Sequence, residues 1–299
     1  MRSEHPLLPF LLALAGVGML SLMDAFMKGA SLAIGAYSAA VLRSALGLVI
    51  IAPVWFAQGG YWPRPAVLRL HMLRGTVSAF MALSFFFALT KLPIAEAIAI
   101  SFIAPLIALY LAAVMLGEKV SRQAVAASLL GFGGTIVIIG GKIGSEPPHE
   151  DVLMGLAAIL FSAMLYAWNF IIIRQQSQLA GPTEVATFHS GVSALVLGVA
   201  APWLLVIPGP VVLLDIGWAA LLTVGGAMAL AWAYARAEAQ ALVPIEYSGF
   251  LWASLFGWLF FREAVTLPTL AGTMLIVIGC WIATRARAGK PTVSAAPTP

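Results

Sequence analysis

The apolar pattern of this chain is written twice. Ala88-Leu-Thr-Lys91, Gly117-Glu118 and Gly134 return 145 residues later as Ala233-Tyr-Ala-Arg236, Arg262-Glu263 and Gly279. The starts match too, Met27-Lys28 with Ile173-Arg174 and Arg43-Ser44 with His189-Ser190. Apolar stretches of helical length fill the sequence from Pro6 to Thr284, and a membrane span needs about 20 such residues. Charges bound the stretches 97–117, 123–141, 152–173, 216–235 and 264–284; shorter or interrupted ones cover 7–23, 35–57, 71–90, 185–206 and 240–261. Ten spans in two copies leave five per copy, and an odd number makes the copies enter the membrane from opposite faces. The expected fold is an all-α membrane protein, with ten transmembrane helices as two inverted five-helix repeats around a central cavity. Such repeats place a substrate site at their interface near the bilayer midplane. The repeats are 1–146 and 147–287, joined by a linker at 144–151, and 288–299 is a disordered cytoplasmic tail without apolar periodicity.

Composition fits that reading. The chain is 62% apolar and 9% charged, where soluble proteins are roughly half and a quarter. Lipid can cover that much apolar surface; a soluble core of this length cannot. The single Cys280 excludes an internal disulfide. Residues 1–6 are short and lightly charged with no convincing cleavage site, so position 7 onward reads as a retained first helix, not a signal peptide. Gly59-Gly60, Pro147-Pro148 and Pro208-Gly-Pro210 are breakers between helices. With both termini in the cytoplasm, eleven basic residues lie inside (Arg2, Arg64, Arg69, Arg74, Lys119, Arg122, Arg174, Arg236, Arg285, Arg287, Lys290) and four outside (Lys28, Lys91, Lys142, Arg262). The positive-inside rule selects that orientation.

Several chemistries are absent. No Gly-x-x-x-x-Gly-Lys-Ser/Thr loop occurs, so the chain carries no ATPase motif. Asp24, Asp151 and Asp215 are too scattered for a paired-aspartate magnesium site, and His5, His71, His149 and His189 show no His-Glu-x-x-His spacing. We expect no catalytic residues, no metal, no cofactor and no nucleic-acid partner. Gly131-Phe-Gly-Gly134 has the wrong spacing for a dinucleotide loop and reads, with Gly272 and Gly279, as a helix-packing ridge.

Ionisable groups inside spans are costly and mark cavities or partners. Glu246, about two turns into span nine beside Pro244 and Tyr247, either meets an ammonium group or carries a proton, or else is a helix-start carboxylate near the headgroups or one paired with a structural arginine. Arg43 either attracts a substrate carboxylate or snorkels to the interface. His189, its repeat partner, either closes an interhelical hydrogen bond or relays protons. Asp24 closes span one and Glu96 opens span four, both at the membrane interface. Glu118 and Glu263 end spans four and nine and read as structural gates, ion-paired locally with Lys119 and Arg262. Pro105 and Pro244 kink spans four and nine, so their freed carbonyls either face a water-filled cavity or are packed away. Phe80, Phe102, Trp168, Trp232, Tyr247 and Trp252 are aromatic cavity candidates, with Ser84, Ser101 and Asn169 as neutral polar ones. Such rings stack on flat side chains or attract ammonium groups. Trp203 and Trp218 are interfacial anchors.

Ala88-Leu-Thr-Lys-Leu-Pro-Ile-Ala-Glu-Ala97, Phe102-Ile-Ala-Pro-Leu106 and Leu116-Gly-Glu-Lys119, with Ala241-Leu-Val-Pro-Ile-Glu-Tyr247, Phe260-Phe-Arg-Glu263 and Ala271-Gly272, carry a family resemblance. Over nearly its whole length the chain resembles the drug/metabolite transporter superfamily in its EamA-type branch, and within it the bacterial aromatic amino acid exporters. The second half departs from the first at Phe250 and Arg262, where Pro105 and Gly117 stand. The resemblance implies a secondary transporter in the bacterial inner membrane, exporting amino acids, aromatic and other neutral ones, and related metabolites by alternating access. Spans one, three, four, six, eight and nine would line its cavity. Two alternatives stay open: an importer or exchanger of S-adenosylmethionine- or riboflavin-like metabolites, and a scaffold or sensor that transports nothing.

Overall fold

The computed structural model describes residues 7–104, 106–108, 110–111, 122–145, 150–176, 179–234, 236, 242 and 245–288. Among them, the regular structure is helical throughout. The helices are α1 (Leu8–Ile34), α2 (Ala36–Ala57), α3 (Pro65–Leu89), α4 (Ile94–Ser101), α5 (Arg122–Ser145), α6 (Glu150–Gln176), α7 (Pro182–Gly198), the short α8 (Ala201–Leu204), α9 (Pro210–Tyr234), α10 (Ser248–Phe261) and α11 (Leu267–Ala288). Five stretches are long and apolar enough to cross a membrane: Leu8–Ile34, Ala36–Ala57, Pro65–Leu89, Glu150–Ile173 and Pro210–Ala233. Shorter apolar helices include Leu129–Gly141, Ser248–Phe261 and Leu267–Gly279.

Local chemistry sets many of the boundaries. Proline stands in the first turn of α1, α3 and α7, where its missing N–H costs nothing and its fixed φ suits a helix start. Gly35, at φ 83°, is the sole residue between α1 and α2, a left-handed conformation that glycine adopts without penalty. Arg262 also has a positive φ, 56°, here in the left-handed helical region, where α10 ends. The repeat aligns it with Gly117, which lies outside the described residues.

The most extensive helix contacts join α5 to α11, α1 to α9, α3 to α6 and α2 to α7, and α4 also packs on α10. Each of these pairs unites an element before residue 146 with one after it, so the two stretches interleave. Small residues permit the approach. A side chain on Gly272 would strike the Gly134 carbonyl, and one on Gly16 of α1 would lie 3.0 Å from the Gly226 carbonyl of α9. The Gly134–Gly272 contact is the expected ridge; the Gly16–Gly226 contact was not anticipated. Around them a shared core of Met27, Ala39, Ala88, Leu89, Ile100, Ile159, Ile216, Ala253 and Ile276 crosses both stretches.

Two boundaries differ from expectation. Span one does not end at residue 23: α1 continues to Ile34, so Asp24 is an interior residue of a 27-residue helix and not its interfacial end. The apolar run Gly29-Ala-Ser-Leu-Ala-Ile34 carries the helix past two charges. Span four is not one continuous helix either. α4 ends after eight residues, and the chain turns at Phe102 and Ile103. There Ile103 N–H bonds Ile100 O at 3.1 Å and Leu106 N–H bonds Ile103 O at 3.0 Å, a tighter three-residue spacing. Pro105, Pro244, Glu118, Lys119 and the tail from 289 lie outside the described residues.

Candidate functional site

Three groups of charged and polar side chains lie within the bundle. In the first, the charged contacts are closed. The Lys28 ammonium of α1 donates to the Leu92 carbonyl at 2.7 Å and forms an ion pair with Glu263, and its charge sits 5.3 Å from the Phe261 ring centre. The second Glu263 oxygen accepts the Ile94 N–H at 2.8 Å at the start of α4. Four segments are thereby tied: α1, the α3–α4 connection, α4 and the α10–α11 connection. Glu96, expected at the headgroups, is buried beside this clamp at 3% exposure, and Ser254 and Glu263 border the same crevice. The expected local pairing of Glu263 with Arg262 is replaced by the distant Lys28, while Arg262 reaches over Trp258 at 5.6 Å. Nearby, Lys91 pairs with Asp151 at 2.5 Å.

A second closed chain ties α3, α6 and α7. Arg74 donates to Gln176 at 2.8 Å, Gln176 contacts His71 Nδ1 at 2.5 Å, and His71 Nε2 meets Glu184 at 2.9 Å. The imidazole stacks on Phe188 at 4.6 Å. From the sequence, Arg74 counted only toward the cytoplasmic basic residues, His71 only as a histidine outside any metal motif, and Gln176 and Glu184 drew no role. The spacing of His71 and Arg74, three apart on one helix face, was the available signal.

The third group is open. Asp24 of α1 lies deep in the protein within the electrostatic field of Arg43 of α2, yet the two do not form an ion pair. Among the described residues Asp24 has no hydrogen-bond or ion-pair partner. Arg43 makes one long contact, 3.5 Å from Nη1 to Thr223 of α9, and its guanidinium sits 5.3 Å from the Phe86 ring centre. Its Nε has no partner. Arg43 therefore does not snorkel: aromatic and hydroxyl contacts hold it inside. His189 of α7 stands in the field of Arg43 and Arg74, and among the described residues its buried Nδ1 has no partner, so that nitrogen does not close the interhelical hydrogen bond considered for it. Tyr166 of α6 lies in the field of Glu246 and Asp24 and is 36% exposed despite its depth. Asp24, Arg43 and His189 also keep accessible surface. Ionisable groups at depth that keep accessible surface are what an internal space would be lined with.

Aromatic residues flank this space. Phe102, at the break after α4, meets Tyr247, just before α10, edge to face at 5.3 Å and 87°. These two residues are themselves 145 apart, so the repeat's own partners touch. Glu246 sits beside Tyr247 with its side chain exposed. Tyr166 stacks on Phe170 at 4.6 Å.

The remaining candidates are dispersed. Trp252 packs its ring against Gly18 of α1 and stacks on Phe256 at 5.8 Å. Trp232 receives the Arg236 guanidinium at 3.9 Å. Asn169 is buried and accepts a 3.4 Å hydrogen bond from Ser78, joining α6 to α3. Ser101 donates back to Ala97 O within its own helix at 2.9 Å. Ser84 is half-buried, and Phe80 and Trp168 are exposed at 46% and 37%. Trp203 and Trp218 are exposed at 79% and 56%, as interfacial anchors would be. No group of three or more His, Cys, Asp or Glu suited to a metal occurs among the described residues.

The sequence model of the EamA-like transporter family matches residues 7–140 and again residues 153–285. The chain belongs to the EamA-like transporter family. It is thus a multi-pass membrane transporter of small molecules, not an enzyme. Three relatives cover 78–93% of the chain. It is 29% identical over 285 residues to the pseudopaline exporter CntI of Pseudomonas aeruginosa strain UCBPP-PA14, covering 93% of this chain and 96% of that one. It is 25% identical over 276 residues to the S-adenosylmethionine uptake transporter of Rickettsia felis, covering 88% and 90%. It is 26% identical over 243 residues to the riboflavin transporter of Brucella anthropi, covering 78% and 82%. One crystal structure superposes with a TM-score of 0.63 over 93% of this chain and 99% of its own, at 19% identity, a likeness of fold alone. The expected likeness to aromatic amino acid exporters in particular is not among these relatives.

Proposed function

We propose that this protein is a secondary transporter that exports amino acids, aromatic and other neutral ones, and related metabolites across the bacterial inner membrane by alternating access. It is built as two inverted five-helix repeats, 1–146 and 147–287, with both termini and the 288–299 tail in the cytoplasm. The double family match and the pairing of helices across residue 146 support the repeat.

The observation that carries the reading is the open polar group at depth. Asp24, Arg43, Tyr166 and His189 keep accessible surface between helices of both repeats, and since lipid is the costliest surrounding for charge, ionisable groups at such depth face a cavity or a partner. The Phe102–Tyr247 contact joins the break after α4 to the start of α10, and interrupted helices supply binding sites in such carriers. The Lys28–Glu263 clamp closes one end of the bundle and the Arg74–Gln176–His71–Glu184 chain ties the other. Alternate opening of these ends would expose the central group to each side in turn.

Counterflow into proteoliposomes loaded with unlabelled solute tests this. Labelled phenylalanine and threonine accumulate if the reading holds. The second reading, import or exchange of S-adenosylmethionine- or riboflavin-like metabolites, is favoured by the relatives of those names. It predicts accumulation of those solutes and of neither amino acid. A scaffold or sensor would accumulate nothing.

A further inference from the structure

We propose that Asp24 and Arg43 together read a zwitterion: the Asp24 carboxylate receives the ammonium group, and the Arg43 guanidinium the carboxylate, of a substrate that carries both. This rests on the transporter reading of the same site and names the feature its substrates share. The two side chains are opposite in charge, stand on adjacent helices α1 and α2 and lie in each other's field without closing. One turn along α1, Lys28 shows what a self-sufficient pair looks like here, with its partner in contact and its spare donors satisfied. Asp24 has no such partner among the described residues, and Arg43 keeps an unpartnered Nε and a single long hydroxyl contact.

Buried charges of this kind are costly unless something completes them. The gap between them needs a positive group toward Asp24 and a planar anion toward Arg43, and a carboxylate matches the guanidinium fork in two parallel hydrogen bonds. A solute with one charge completes one side and leaves the other exposed and desolvated. A neutral solute completes neither. The Phe86 ring under Arg43 fixes the guanidinium plane, and the stacked Tyr166 and Phe170 offer a flat wall for the remainder of the solute. The site thus selects for the amino-carboxylate and is tolerant of what is attached to it.

The test uses the full chain in proteoliposomes. The wild-type protein is presented with phenylalanine, phenylalanine methyl ester (ammonium only), N-acetylphenylalanine (carboxylate only), S-adenosylmethionine, whose methionine end carries both groups, and riboflavin, which lacks the pair. Losing one charged contact costs about tenfold or more. Both phenylalanine analogues are therefore expected to exchange at least about tenfold more slowly than phenylalanine or S-adenosylmethionine. Asp24→Asn lowers the rate ratio of phenylalanine to N-acetylphenylalanine by about tenfold, and Arg43→Gln lowers the ratio of phenylalanine to its ester by a similar factor. These ratios stay readable if a variant is poorly inserted.

Equal wild-type exchange of phenylalanine and either analogue overturns the proposal. So does a uniform loss for all solutes in variants that remain monodisperse, which would mark the pair as structural. Exchange of riboflavin without any amino-carboxylate overturns it while leaving the carrier intact. Exchange of nothing overturns the carrier reading and this proposal with it.

Discussion

Lys28 and Asp24 are four residues apart on α1, and both are charged, yet they are treated in opposite ways. Lys28 is 6% exposed, pairs with Glu263 and donates to Leu92 O. Asp24 keeps accessible surface at depth, in the field of an Arg43 that does not pair with it. The first arrangement is what a buried charge needs to persist as structure: a counter-ion and backbone partners in contact. The second keeps the desolvation cost and leaves the compensation to something else. On one helix, one turn holds the bundle shut and the adjacent turn remains unfinished.

The sharpest way to break this comparison is to remove one partner of each pair and measure thermal unfolding in detergent. Lys28→Ala leaves Glu263 buried and uncompensated, and we expect a loss of about 3–5 kcal/mol, a Tm drop on the order of 10 °C. Replacing both partners, Lys28→Met with Glu263→Gln, should recover most of that loss. If Lys28→Ala melts like the wild type, the clamp is not structural. Next in size are the glycines that let the helices meet. Gly272→Ala sets a methyl against the Gly134 carbonyl and should cost about 1–3 kcal/mol. Gly133→Ala, with nothing within 4 Å of the added carbon, should be neutral or gain up to about 1 kcal/mol from helix propensity.

Asp24→Asn moves the other way from Lys28→Ala. It removes a buried charge that has no closed partner, so its Tm should be unchanged or higher, within about 1 kcal/mol. A large destabilisation would mean that Asp24 is structural after all. The smallest effect is expected at Arg262. Its φ of 56° costs about 1–2 kcal/mol in a residue with a side chain, and its position over Trp258 returns about 0.5–1. Arg262→Gly should therefore raise stability by under about 1 kcal/mol.

The repeat was legible because it is a property of spacing. The 145-residue offset that aligned Glu118 with Glu263 also aligns Phe102 with Tyr247, which the structure brings into contact. Membrane character followed from hydropathy alone, and five of the helices are long and apolar enough to cross a membrane. Asp24 was misplaced for a physical reason: a charge at the end of an apolar run usually marks the interface, and only tertiary partners let α1 carry two charges through to Ile34. The partner of Glu263 was hidden for a related reason. Sequence neighbours suggest local ion pairs, whereas Lys28 is 235 positions away. Thr223, which holds Arg43, left no pattern at all, since one hydroxyl in an apolar helix commonly bonds its own backbone, as Thr223 also does to Ala219 O at 2.8 Å.

The central claim is that water and solute reach the middle of this bundle. Cys280 is the only cysteine, so a Cys280→Ser background carrying Tyr166→Cys gives a single reporter at a position 36% exposed at depth. A charged, membrane-impermeant thiosulfonate should label that cysteine in inverted or right-side-out vesicles, and a transported amino-carboxylate should slow the labelling. If Tyr166→Cys resists the charged reagent from both sides while a lipid-soluble maleimide modifies it, the space is filled by lipid or packed shut, and the account fails.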